Sequence, residues 1–179
     1  MLSDRRKRRL DRIAQDASGR YVYTGELFAY AGETPRGKAL GCLAAVCALS
    51  FLALLGAGLM PAPGMTGAWY CVLPYSLCLV SEISAVWSLG QVLLGGDPMR
   101  ELPHEAATIH LPRRLLLTAV LGGLGVLGEA VYLLLHGAGG KGGPAVAFLV
   151  LTALSAAMAM LGRRLSKGLI WEQRPNENL

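Results

Sequence analysis

Four long stretches of this chain are almost free of charge, and short polar segments separate them. Residues 39–60 and 142–162 carry no charged side chain, residues 68–96 carry only Glu82, and residues 115–140 carry only Glu129, with His136 as a further titratable group. About 20 apolar residues cross a hydrocarbon core roughly 30 Å thick, and each stretch reaches that length. A surface helix of a soluble protein would instead break its apolar run with a polar face. The pattern predicts an all-α fold, an integral membrane four-helix bundle, with spans at about 38–60, 69–95, 113–136 and 144–163. Residues 35–166 form the transmembrane domain, residues 1–34 an N-terminal arm and residues 167–179 a tail. A mean hydropathy of +0.43 over 179 residues agrees with this division and leaves no length for a second folded domain.

Proline and aromatic positions mark the ends of the spans. Thr34-Pro35 reads as a helix start, with Thr as N-cap and Pro at the first helical position. Pro112 and Pro144 play that part for the third and fourth spans, and Pro61 and Pro98 follow the first and second. Pro74 lies about one turn inside the second span, where it either delays the helix or kinks it. Trp69 and Tyr70 mark one interface and Trp171 the other.

The arm carries two further patterns. Over residues 2–17, Leu10, Ile13, Ala14 and Ala17 share one helical face, and Arg5, Arg6, Lys7, Arg8, Arg9 and Arg12 make the rest cationic. Such a helix can lie on an anionic inner leaflet, or the segment is a solvated topology signal. Residues 21–30 suit a β-hairpin turning at Gly25-Glu26, with Tyr23 opposite Phe28 and Tyr21 opposite Tyr30. An irregular interfacial segment with anchoring tyrosines is the other reading.

Charge sets orientation. Of 17 Lys and Arg, nine fall in residues 1–38, three in 97–114 and four after 162, while Lys141 alone falls in a loop on the opposite side. This predicts a multi-pass protein of the cell membrane with cytoplasmic N- and C-termini. It also makes the net +5 charge a topology signal and an attraction to anionic lipid, not a nucleic-acid footprint. The first apolar run begins after a long polar arm without a cleavage site, so the first helix is expected to be retained. Cys42, Cys47, Cys71 and Cys78 form no Cys-x-x-Cys motif and read as small packing residues.

Candidate chemistry concentrates on two acids. An ionisable group inside a membrane span is costly and faces the bundle interior or a wet cavity. Glu82 shares its helical face with Cys71, Tyr75, Cys78 and Leu89, whereas Ser81, Ser84, Ser88 and Gln91 fall mostly opposite. On the third span Thr118, Gly122, Gly125, Glu129, Tyr132 and His136 recur at spacings of three and four and form one small, polar stripe. Gly122 and Gly125 allow close helix packing there. Glu82 and Glu129 fall at comparable depth, with Glu129 about one turn nearer the outside. At least one is then expected to be protonated. They are either proton or cation carriers or a buried pair that fixes helix register. Glu101, His104, Glu105 and His110 in the inner loop match no metal-site spacing, and no catalytic triad, phosphate loop or zinc motif is present.

The Tyr21-Val22-Tyr23-Thr24-Gly25 run, the basic arm before it and Trp69-Tyr70-Cys71-Val72-Leu73-Pro74-Tyr75 together resemble an uncharacterised group of small bacterial four-span membrane proteins with a cytoplasmic Tyr-x-Tyr-x-Gly segment. The resemblance implies an inner-membrane protein and adds no catalytic residue. The expected function is non-enzymatic: association in the membrane with itself, a partner protein or lipid, without cofactor or metal. The alternative is a proton- or cation-coupled transporter or channel subunit using Glu82 and Glu129.

Overall fold

The computed structural model describes residues 13–15, 21–23 and 25–174. An apolar stretch offers its backbone no side-chain partners, so it closes its N–H and C=O groups on themselves as helix. The chain runs β1 (Ile13–Gln15), β2 (Tyr21–Tyr23), β3 (Leu27–Tyr30), α1 (Arg36–Gly58), α2 (Pro63–Gly67) and α3 (Trp69–Leu94). It continues through β4 (Met99–Arg100), α4 (Glu101–Glu105), a π-helical turn (Ala106–His110), α5 (Leu111–His136), α6 (Gly142–Lys167) and β5 (Trp171–Arg174). The protein is mostly helical, and four helical runs are long and apolar enough to cross a membrane: α1, α3, the run from Glu101 to His136, and α6.

The helices pack in chain order around a common interior. α5 lies along both α3 and α6, α6 lies along α1, and α1 meets α3 less closely. Arg36 at the start of α1 donates to the Gly95 carbonyl at the end of α3 and ties that looser seam at one end. A cation on the last carbonyls of a helix also complements its dipole. Near that end Leu43, Cys47, Ala85, Leu89, Leu111, Leu115 and Ala159 form one buried cluster. Leu54, Ala57, Ala62, Tyr75, Cys78 and Phe148 form another toward the opposite end.

Two prolines reshape their helices without ending them. Pro74 lies within α3 and supplies no N–H to the carbonyl of Tyr70. Gly128 of α5 approaches that freed carbonyl so closely that a Cβ there would sit 3.0 Å from its oxygen. Pro112, the second residue of α5, likewise lacks the N–H that would extend the ladder backward. Helix nevertheless continues upstream of it, widened into the π-helical turn Ala106–His110. The helical run therefore starts well before Pro112. At the start of α1, Pro35 stands in the N-cap position and no side chain caps the helix, so Thr34 has no capping part.

The arm departs from the sequence expectation. β3 does not fold back on β2. It is the central strand of an antiparallel sheet ordered β4-β3-β5, with Phe28 opposite Met99 and Gln173, and Tyr30 opposite Trp171. β2 pairs instead with β1, setting Tyr21 against Gln15 and Tyr23 against Ile13. Residues 13–15 are thus strand, not part of a helix over 2–17. An isolated hairpin is marginal, whereas three strands laid on helix ends bury an apolar face. Phe28 stacks on His104 at 3.7 Å between ring centroids, and Tyr30 meets Trp171 edge-on at 5.4 Å. Met99 is fully buried beneath, with Leu40, Val92, Ala106 and Ala107. Arg5, Arg6, Lys7, Arg8, Arg9 and Arg12 lie outside the described residues.

Candidate functional site

Polar groups converge inside the helices at two levels. At the first, Glu82 of α3 is fully buried and neither carboxyl oxygen makes a hydrogen bond. The hydroxyls of Ser50 on α1 and Thr118 on α5 are its polar neighbours. Both are committed elsewhere. Ser50 Oγ donates to the Ser155 carbonyl at 3.1 Å, and Thr118 Oγ1 donates to Ser81 Oγ at 3.1 Å. Ser81 Oγ in turn donates to the Arg114 carbonyl at 3.1 Å. Three helices thus surround the carboxyl with hydroxyls that bond past it, and the Oγ1 of buried Thr152 on α6 is likewise unpaired.

Ser81 and Ser88, on another face of α3 than Glu82, are buried too, so the helix is packed on two sides. α5 packs on that flank of α3 and brings its own polar groups to them. Arg114 reaches across to donate to the Ser84 carbonyl and to Ser88 Oγ. The inward turn of Arg114 carries no signal in the hydropathy pattern, because Arg113 beside it is exposed.

The second level centres on Glu129. α2 folds back over the ends of α3 and α5, burying Ala62, Pro63 and Gly64, and the Gly64 N–H donates to Glu129 Oε1 at 3.2 Å. A Cβ at Gly64 would overlap Glu129 Oε2 and lie 2.9 Å from Cys71 Sγ. The glycine is what lets this turn settle on the carboxyl. The Pro-Gly composition there gave no period to read, so the buried turn went unseen.

The stripe on α5 divides. Thr118, Gly122, Gly125 and Glu129 are buried, Tyr132 is half-buried, and His136 is exposed beyond the packed helices. Tyr132 and His136 stack on each other at 4.7 Å. On α3, Tyr75 donates from Oη to the Leu54 carbonyl of α1 at 2.9 Å, in space that only a glycine at position 58 leaves open. Gly128, just off the stripe, packs closer to a neighbouring backbone than either stripe glycine.

The two glutamates do not share a site. Glu129 lies beside Cys71, which precedes Glu82 by 11 residues on the same helix. That separation is about 16 Å of helix rise, close to three turns, not the one turn expected from the sequence. The buried turn over α5 pulls the Glu129 level to the rim of the helices. Neither acid therefore raises the cost of ionising the other at short range.

No protein-family model matches the chain, and neither a curated protein nor a solved structure is significantly similar to it. The resemblance to the bacterial four-span group rests on its own short motifs alone.

Proposed function

We propose that the chain is a multi-pass protein of the cell membrane, termini cytoplasmic, that acts without catalysis by associating in the bilayer with itself, a partner protein or lipid. One observation carries this reading: the polarity is inside out. Leu52, Val80, Trp87, Leu127, Leu134 and Val150 are more than half exposed around the helices, while Glu82, Ser50, Thr118 and Ser155 are buried between them. Lipid is the solvent that stabilises such an exterior. The cationic excess at one end supports the orientation.

The transport alternative keeps one supporting observation, the buried Glu82 carboxyl without a hydrogen bond. The distance between the acids weighs against a direct relay from one to the other.

Cysteine labelling in a Cys42→Ala background tests the orientation. Thr66→Cys and Lys141→Cys, both at exposed positions, should react from outside sealed cells. Arg164→Cys should react only after permeabilisation. Outside labelling at position 164 would sink the orientation, and release of the chain by alkaline carbonate would sink the membrane reading.

A further inference from the structure

The uncharged part of α5 begins after Arg114 and that of α6 ends before Arg163, so both helices cross from apolar to polar surroundings at the same end. At that boundary α5, α6 and the π-helical turn enclose a pocket of about 250 Å³. Arg113, Arg163 and Lys167 line it, and among the described residues no carboxylate does. Arg163 and Lys167 stand one turn apart on α6 and share a face. The Nε of Arg163 is buried with no hydrogen-bond partner. Thr108, also in the lining, already donates its hydroxyl to the His104 carbonyl at 2.8 Å. The donors left over are therefore cationic.

The remaining wall is apolar. Ile109, Pro112 and Leu116 complete the lining, and Leu117 and Val120 carry an exposed apolar surface onward along α5. Three cations on one wall, one of them with a buried and unpartnered N–H, favour an anion. A wall that runs into the apolar flank suits an anion with hydrocarbon attached. Basic pockets between spanning helices at the membrane surface are suited to anionic head groups.

We propose that this pocket binds the phosphate of an anionic phospholipid, with Arg113, Arg163 and Lys167 as its ligands and the acyl chains along α5. Guanidinium groups match phosphate oxygens in pairs, and Lys167 adds a point charge. The proposal rests on the membrane reading above and names one lipid contact within it.

The test uses the full chain in a mild detergent and in nanodiscs, with phosphatidylglycerol titrated against phosphatidylcholine and bound lipid counted by native mass spectrometry. Wild type should retain phosphatidylglycerol through delipidation. Arg113→Gln, Arg163→Gln and Lys167→Gln should each weaken it about fivefold, and the triple variant on the order of a hundredfold. Arg164→Gln, exposed and outside the pocket, should leave it unchanged. Equal loss in Arg164→Gln would mean diffuse charge alone and would overturn the site. So would retention in the triple variant, or inorganic phosphate saturating the pocket as well as the lipid does. Arg113 and Lys167 are exposed, so their variants keep the test decisive if Arg163→Gln misfolds by circular dichroism. A chain that fails to enter nanodiscs sinks the membrane reading; one that enters without lipid preference sinks only the pocket.

Discussion

A single carboxyl can stabilise or burden a buried site depending on what faces it, and this chain has one of each. Glu129 accepts from the Gly64 N–H and fills the space that a Gly64 side chain would need. Gly64→Ala should therefore destabilise the fold by ~1–3 kcal/mol through overpacking, read as a lowered unfolding midpoint in detergent. Glu129→Gln should keep the midpoint near wild type, because the amide oxygen still accepts. Glu129 leaves only Oε2 without a partner among the described residues, whereas Glu82 has no backbone donor at all. Its carboxyl faces the hydroxyls of Ser50 and Thr118, which already donate elsewhere, so removing it orphans neither. Glu82→Met, similar in shape, should be neutral or stabilising by roughly 1 kcal/mol. A loss beyond about 2 kcal/mol would mean that the carboxyl holds a bound proton, water or cation that the fold depends on. Paired with a flux assay, the same variant separates register from transport.

Between helices, close approach is decided one glycine at a time. A Cβ at Gly122 would meet the Ala156 Cβ at 3.2 Å, one at Gly125 would meet Thr152 at an ordinary 3.8 Å, and one at Gly128 would press on the Tyr70 backbone oxygen at 3.0 Å. Alanine should thus be costliest at 128, where backbone cannot yield, intermediate at 122, and mild at 125. Thermal midpoints of the three variants beside exposed Leu124→Ala check that order. The contrast shows how much the sequence made legible. The uncharged runs sufficed for the four long helices, because an apolar stretch of that length has only its own backbone to bond. Spacing on α5 sufficed to put Thr118, Gly122, Gly125 and Glu129 on one face. It could not rank the glycines or single out Gly128, since that depends on Pro74 freeing a carbonyl on another helix. Nor could it find the partners of β3, which come from residues 99–100 and 171–174, far away in the chain.

At the scale of the whole molecule, one end is closed by the sheet and its aromatic cluster, and His104 sits within that cluster on α4, ahead of the uncharged stretch of α5. Partial burial holds its imidazole below the usual histidine range, against the opposing pull of Glu105 and Glu26. The undocked form therefore takes up the proton first as pH falls through about 6.5, and the docked sheet loses relative stability below that value. Hydrogen exchange over residues 27–30 and 171–174, corrected for intrinsic rate, should accelerate at pH 5.5 relative to pH 7.5. His104→Asn should flatten the difference. The same sheet bears on how the chain is made. Its central strand precedes all four long helices in the chain, one neighbour lies between the second and third of them, and the other follows the fourth. β3 must wait, with one edge open, until all four long helices and Trp171–Arg174 have been made. Closure of this clasp thus reports that α6 and the segment after it are in place, and a chain cut short after α6 would present that open edge to whatever quality-control protease or neighbouring copy reaches it first.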